Sequence, residues 1–174
     1  MKRLSILLLL TLVACSNPQK KLKAEVKALE SEIEEGFSKE KADKLIGSYD
    51  KYIKEFPKDT LSRLYMAKGA ELSILNNDPT AALRYIDLFL ATYPDDPKAG
   101  LMQFKKGIVF DLLIRDGLRA VAEYDIFLKK YPNDPLRQDA INAILLIQNP
   151  ETFMATITSE QDSISKADST KGLQ

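Results

Sequence analysis

One segment of the chain occurs three times, and its spacing restricts the fold more than any other feature. Each copy ends in a proline, and Pro57, Pro94 and Pro132 lie 37 and then 38 residues apart. A period of this size is typical of stacked helical repeats, because one helical pair cannot cover its own apolar face and must bury it against the next. The repeat therefore predicts an all-α fold, a stack of antiparallel helix pairs with about seven helices.

The three copies share one pattern of apolar and acidic positions before the proline. The aligned sets are Leu45, Tyr49, Asp50, Tyr52 and Phe56; Ala82, Ile86, Asp87, Phe89 and Tyr93; and Ala120, Tyr124, Asp125, Phe127 and Tyr131. The apolar members fall three or four residues apart, which places them on one stripe of a helix. The pattern predicts that each copy is a helix with this stripe facing the core.

The residues after each proline predict a turn and the start of another helix. Proline disfavours an α conformation in the preceding residue and cannot donate an interior hydrogen bond, so it ends the helix. An aspartate two residues further on, at Asp59, Asp96 and Asp134, can accept from the free N–H groups of the next helix. Pro97 and Pro135 are predicted to occupy the first helical position behind two of them.

The N-terminus is typical of a secretory signal. Lys2 and Arg3 precede an apolar run at 4–13 that is too short to span a bilayer, and residues 1–14 are predicted to be removed. The tetrapeptide 12–15, Leu-Val-Ala-Cys, resembles the lipobox of bacterial lipoproteins, in which the cysteine is lipidated. An ordinary signal with a chance cysteine is the alternative. Because Cys15 is the only cysteine, it cannot form an internal disulfide.

The lipobox resemblance implies a location and an anchor. Two or more acyl chains on Cys15 would hold the protein stably at a membrane, with residues 15–19 as a tether. Ser16 stands where a signal for retention in the inner membrane would usually be Asp. By resemblance to that sorting rule, the expected location is the periplasmic face of the outer membrane.

The charge of the processed chain argues against a nucleic-acid partner. Loss of Lys2 and Arg3 leaves 23 basic against 25 acidic residues, a formal charge of −2. Binding to nucleic acid calls for a clustered basic face, which this balance does not indicate. The remaining chain has the length of one domain.

The segment 20–35 has strong helical propensity and allows two interpretations. Its apolar residues are spaced four, three and four apart, and they are Leu22, Val26, Leu29 and Ile33. They could form a coiled-coil seam for self-association, but the pattern lasts less than two heptads before Gly36. The favoured interpretation is a first helix that packs on the next one, at 38–56.

Glycines inside the first helices of the next two pairs indicate close packing. These helices are predicted at 60–75 and 97–115, and they contain Gly69 and Gly107. A glycine inside a helix costs about 0.5 to 1 kcal/mol relative to alanine, so a close approach of backbones is expected there. Ala82 and Ala120 are predicted to be the small residues that face these glycines.

These positions resemble the tetratricopeptide repeat family over residues 38–148. The match comprises two small residues, a large apolar residue four positions after the second of them, and the closing proline. The residues are Gly69, Ala82, Ile86 and Pro94 in one copy and Gly107, Ala120, Tyr124 and Pro132 in the next. The resemblance implies a right-handed α-solenoid. Phe89 and Phe127 depart from the family, which usually has alanine there. This departure, with the longer turns, is similar to the repeats of bacterial envelope lipoproteins of the barrel-assembly machinery and of periplasmic cell-division coordinators.

The resemblance also implies a binding face for a protein or peptide partner. In the family, the first helix of each pair lines a concave face where partner segments lie. The positions carried over are Arg63, Met66, Ala70, Leu101, Phe104, Ile108 and Asp111. Alternatively, Phe104 and Ile108 are buried between helices.

The sequence indicates no catalytic, metal or cofactor site. It has no histidine, which excludes imidazole bases and histidine ligands, and its seven glycines form no phosphate-binding loop. Acidic clusters such as Asp95-Asp96 fit solvated helix faces and caps better than carboxylate pairs. A non-enzymatic role with no cofactor is therefore expected.

The C-terminal part is expected to close the stack. A helix is predicted at 135–148, followed by a short one in which Phe153 and Ile157 pack against the end, so that the repeat domain covers 20–162. Residues 163–174 are polar and predicted to be disordered. The first hypothesis is a lipid-anchored envelope scaffold that binds another protein; the alternative is a self-associating, division-linked module that uses helix 20–35.

Overall fold

The computed structural model describes residues 17–151, and within them it contains only helices and turns. The helices are α1 (Pro18–Glu35), α2 (Lys39–Glu55), α3 (Thr60–Leu75), α4 (Pro79–Thr92), α5 (Ala99–Ile108), a π-helical segment (Val109–Ile114), α6 (Gly117–Lys130) and α7 (Arg137–Gln148). The all-α prediction and the number of helices are confirmed. The predicted signal at 1–14, the lipidated Cys15, the helix with Phe153 and Ile157 and the tail at 163–174 lie outside the described residues.

Each helix packs on the next one along the chain, so the described part is a repeat-like stack. The connections are short, which makes successive helices antiparallel and places alternate turns at opposite edges. We call one the proline edge: it contains the start of α1 and the turns at 56–59, 93–98 and 131–136. The other is the distal edge, with the turns at 36–38, 76–78 and 115–116 and the end of α7.

Side-chain hydrogen bonds hold the turns of each edge to neighbouring helices. At the proline edge, Gln19 Nε2 donates to Asp59 Oδ2 over 2.6 Å. At the distal edge, Asn76 Nδ2 donates to Asp43 Oδ1 over 2.7 Å. These bonds link the α1–α2 pair to the α3–α4 pair at both ends of the helices.

The helix starts agree with the predicted caps but differ in position. Asp59 caps α3 by accepting from Leu61 N over 2.8 Å, as predicted. Asp96 and Asp134 make the equivalent bond to the residue two further on, yet α5 and α7 begin only at Ala99 and Arg137. The prediction that Pro97 and Pro135 occupy the first helical position is therefore wrong, because both lie in a turn that precedes the regular helix.

The first helix begins two residues earlier than predicted. Asn17 caps it by accepting from Gln19 N and Lys20 N at 3.0 and 3.3 Å, and Pro18 follows at the first helical position. Of the predicted tether at 15–19, Pro18 and Gln19 therefore belong to α1.

The apolar stripe of α1 packs within the same chain. Leu22 and Val26 are buried, and Leu29 and Ile33 pack partly buried against the same core. This confirms the favoured interpretation of a first helix that packs on the fold. A coiled-coil seam would need these four side chains at the surface.

The core consists of two clusters. The larger extends from α1 to the π-helical segment and contains the fully buried rings of Tyr52, Tyr85 and Phe89. The smaller joins the π-helical segment to α6 and α7 through Phe127 and Ala140. The fold is therefore packed most extensively at its N-terminal end.

The two helix-interior glycines make room for aromatic rings. A Cβ atom built on Gly69 would lie 2.6 Å from Cζ of Tyr85, and one on Gly107 would overlap the ring of Tyr124. The nearest atoms to each glycine belong to a tyrosine one helical turn after the alanine that was predicted to face it, so that prediction missed the ring. Ala82 and Ala120 are fully buried at the contact between the two helices of each pair, which we call the joint.

Candidate protein-binding surface

The odd-numbered helices α1, α3 and α5 lie side by side and form one face, which we call the odd-helix face. Ion pairs connect them: Lys68 Nζ of α3 lies 2.8 Å from Glu30 Oε1 of α1. Lys105 Nζ of α5 lies 3.1 Å from Glu71 Oε1 of α3. The face therefore carries alternating charge between neighbouring helices, an arrangement that the sequence pattern did not predict.

Two of the seven positions implied for partner binding belong to the core. Met66 is 2% exposed and Ala70 is fully buried. Both lie on the side of α3 that packs against the larger core cluster, so they cannot contact a partner. The assignment of Met66 and Ala70 to the binding face is therefore corrected, because the orientation of α3 places both in the core.

The five other positions retain some exposure. Arg63 is exposed at the proline edge and pairs with Asp96, whereas Leu101 and Ile108 are half-buried on α5. Phe104 is half-buried, and its ring centroid lies 5.4 Å from that of Tyr124 and 5.5 Å from that of Phe127. Phe104 therefore contributes mainly to the smaller core cluster, as the alternative interpretation held.

Asp111 is a half-buried carboxyl group in the π-helical segment. Burial raises its pKa above the ordinary aspartate value, and the nearby charge of Arg115 opposes that rise. The remaining predicted positions serve packing: Gly69 and Gly107 receive the tyrosine rings, and Pro94 and Pro132 follow the ends of α4 and α6.

An open groove of about 270 Å³ lies where α1, α2 and α3 meet. Its apolar lining is Ile33, Leu45, Tyr49, Leu72 and Leu75, and its charged lining is Glu30, Glu34, Lys68 and Glu71. The Tyr49 hydroxyl donates to Glu30 over 2.7 Å, and burial together with this bond raises the pKa of Tyr49. The groove thus combines an apolar floor with a mainly acidic rim.

Helix α1 has an unusual distribution of charge. Lys20 and Lys21 lie in its first turn, and Glu34 and Glu35 lie in its last. The helix dipole favours the reverse arrangement, acidic residues at the N-terminus and basic residues at the C-terminus, by about 0.3 to 1 kcal/mol for each charge. Helix stability therefore does not explain this pattern, which places basic groups at the proline edge and acidic groups at the distal edge.

The distal edge also carries most of the exposed large apolar side chains. Among residues 17–151, eight such side chains are exposed, and two of them, Leu88 and Ile126, lie in the middle of α4 and α6. The other six lie at the distal edge, in a turn or within about a helical turn of one, and they are Phe37, Leu75, Leu112, Leu118, Leu145 and Leu146. Sequence periodicity could not single them out, because each is one apolar residue among many until the turns are assigned to edges.

Within residues 17–151, no group of three or more acidic, histidine or cysteine side chains is placed to hold a metal ion. None of the helices in the described region has the length and apolar character needed to cross a membrane. Comparison of the chain with protein-family models and with curated proteins gave no match.

Proposed function

We propose that this protein is a lipid-anchored scaffold of the bacterial cell envelope, held at the periplasmic face of the outer membrane through Cys15, where it binds another protein or a peptide segment. The observation that carries the proposal is the stack of helical pairs with a charged, half-exposed face. Such stacks offer extended surfaces on which partner segments lie. In this proposal the protein is not an enzyme and uses no cofactor.

The position of α1 supports the anchor. The helix begins at Pro18, three residues after Cys15, so the proline edge would lie close to the membrane. Lys20, Lys21 and Lys23 are at that end of the helix. Near an anionic bilayer surface, each basic residue next to a lipid anchor contributes about 1 kcal/mol to the free energy of membrane binding.

The anchor is tested by replacing the lipidated residue in the full chain. Cys15→Ala should abolish labelling by a radioactive fatty acid and move the protein from the membrane to the soluble fraction. Ser16→Ala, the matched control, should change neither result. Ser16→Asp should shift the labelled protein to the inner membrane, and labelling that persists in Cys15→Ala would refute the anchor.

The binding role is tested by site-specific photo-crosslinking in the native envelope. A crosslinking amino acid at Glu71, which is exposed on the odd-helix face, should trap a discrete protein partner. The same amino acid at Lys129, which is exposed on α6, serves as the control. Equal patterns from the two positions, or no product from either, would argue against a scaffold that uses this face.

A further inference from the structure

We infer that the distal edge is the docking surface and that its partner is a protein segment with apolar side chains flanked by lysine or arginine. The inference rests on the proposed scaffold function and names the chemistry of the partner. Its centre is the end of the edge formed by α1 and α3, where Phe37 is 46% and Leu75 is 64% exposed.

The apolar groups of this edge come from successive helical pairs. Phe37 lies in the turn of the first pair, Leu75 ends α3 in the second, and Leu112 is in the π-helical segment of the third. Because alternate turns share an edge, these side chains form a row along the stack. Neighbouring packed helices are about 8 to 10 Å apart, so the row has the length of an extended or helical peptide rather than of a small molecule.

The groove between α1 and α3 opens at the same end. Ile33 and Leu75 belong to its lining, and the rest of its apolar floor is buried core. A large apolar side chain of a partner could enter this groove while its neighbours contact Phe37. Buried apolar anchors of this kind supply most of the binding energy in many interfaces.

The charge of this end favours a basic partner. Glu34 and Glu35 are exposed, and neither makes an ion pair with any residue in the range 17–151. Three lysines lie around the same turn: Lys39 and Lys44 pair with Asp43 and Glu40, and Lys41 Nζ donates to the carbonyl oxygens of Glu32 and Gly36 at 2.8 and 2.9 Å. Residues 32–44 contain five acidic and three basic residues, so this end keeps a net charge of −2 even though Lys41 stays charged. Lysine or arginine on a partner would complement that charge.

The same charges disfavour the other possible occupants. In a symmetric contact between two copies, each partner would present the same patch, so Glu34 and Glu35 would approach a second acidic cluster. An anionic bilayer would also be repelled. With a rise of 1.5 Å per residue, the 18 residues of α1 separate this edge from the N-terminus of the helix, where the proposed anchor lies, by about 27 Å. The described chain ends at Glu151, just after α7, three helical pairs away from Phe37.

The inference is tested with defined peptides on the chain from Ser16 onward, which contains both core clusters. The probe is a 15-residue helical peptide with leucine at every third or fourth position and lysine elsewhere; the control peptide has glutamate in place of lysine. Fluorescence anisotropy should give a Kd about tenfold lower for the lysine peptide. Joint replacement of Glu34→Lys and Glu35→Lys should reverse this preference.

Matched variants separate the distal edge from other exposed leucines. Leu75→Ser should raise the Kd of the lysine peptide about fivefold or more, whereas Leu88→Ser on α4 should leave it unchanged. Both side chains are exposed, so the melting temperatures of the two variants should stay near that of the parent chain. Equal effects of the two variants, or no preference between the peptides, would overturn the inference.

Three further results would assign the edge to a different occupant and overturn it. They are a dimer in light scattering that Leu75→Ser dissociates, binding to phosphatidylglycerol vesicles that Leu75→Ser weakens, and tighter peptide binding after removal of residues 152–174. In the native envelope, a crosslinker at Leu75 should trap the partner and one at Leu88 should not. A partner trapped from Glu71 but not from Leu75 would keep the proposed scaffold function and refute this site.

Discussion

The second and third helical pairs share the same repeat pattern but are held in place differently. In the pair formed by α3 and α4, Arg63 pairs with Asp96 and Arg84 pairs with Asp50. The aligned positions in the next pair are Leu101 and Ala122, which cannot form ion pairs. The comparison shows that the repeat specifies the helical joint, whereas polar contacts to neighbouring pairs differ from copy to copy.

The joints themselves also differ in one detail. Both glycines receive a tyrosine ring, but Tyr85 is three residues after Ala82, whereas Tyr124 is four residues after Ala120. The helix that contains Gly107 continues into a π-helical segment, and the one that contains Gly69 remains α-helical to its end. A π turn contains more residues than an α turn, so it changes which side chains face the neighbouring helix.

The largest expected effect tests whether the two joints are equivalent. Gly69→Ala and Gly107→Ala would each place a methyl group against a buried tyrosine ring. Overpacking costs about 1 to 3 kcal/mol, from which a gain of about 0.5 to 1 kcal/mol in helix propensity is subtracted. The difference is about 0 to 2.5 kcal/mol. Because both rings are buried, we expect each variant to lose unfolding free energy in the upper half of that range, roughly 1 to 2.5 kcal/mol, in urea denaturation.

Gly47→Ala is the matched control for these variants. Gly47 lies inside α2, and a Cβ atom there would meet no heavy atom within 4 Å. This variant should gain about 0.5 to 1 kcal/mol. Stabilisation by all three substitutions would show that the rings of Tyr85 and Tyr124 move aside freely. A loss at only one of the two joints would show that they are not equivalent.

The sequence predicted the helices and their inward stripes but not the partners of individual residues. Tyr52, Phe89 and Phe127 occupy the same position before the closing proline, and all are fully buried. Periodicity is sufficient for such positions, because burial of a stripe depends only on the helix. It could not predict that a tyrosine ring lies closest to each glycine, since this depends on the local winding and the rotation of two helices.

The binding face was the least predictable part. Met66 and Ala70 were carried over from a family pattern, and the rotation of α3 places both in the core. The exposed side chains of the distal edge come from separate turns, and only the antiparallel stack brings them to one edge. The inverted charges of α1, by contrast, could be read from the sequence, because Lys20 and Lys21 and then Glu34 and Glu35 are at its two ends.

An intermediate effect is expected at the aspartates that follow the second and third pairs. Asp96→Ala removes the bond from Lys98 N and the pair with Arg63, whereas Asp134→Ala removes the bond from Leu136 N. Loss of such a bond costs about 0.5 to 2 kcal/mol. We expect Asp96→Ala to be the more destabilising at pH 7, because no arginine is aligned with Arg63 in the next pair.

The stability that Asp96 contributes should depend on pH. Burial works to raise the pKa of Asp96, but the bonds from Lys98 N and Arg63 outweigh it and hold the pKa below the ordinary value. Its stabilising contribution is therefore present above the unfolded pKa of about 3.9 and is lost as the pH falls toward the lower folded pKa. In thermal unfolding, the difference between Asp96→Ala and the parent chain should shrink below about pH 4. A difference that is constant from pH 7 to pH 3 would contradict the ion pair.

The smallest effect tests the contact that the second pair has and the third lacks. Arg84 Nη1 and Nη2 donate to Asp50 Oδ1 and Oδ2 at 2.8 and 2.9 Å, and the guanidinium carbon lies 4.4 Å from the centre of the Tyr85 ring. Exposed ion pairs contribute about 0.2 to 1 kcal/mol and are screened by salt. Arg84→Ala should therefore lower the free energy of unfolding by up to about 1 kcal/mol at low ionic strength and by less at high salt.

A double-mutant cycle with Asp50→Ala separates the ion pair from the stacking on Tyr85. If the pair matters, the two single substitutions should lose more in sum than the double variant, and the coupling should fall as salt is added. Asp125→Ala is the matched control, because Asp125 is aligned with Asp50 and makes no ion pair within residues 17–151. A coupling energy near zero would assign the contribution of Arg84 to its contact with the ring of Tyr85, and the two pairs would then differ in packing rather than in charge.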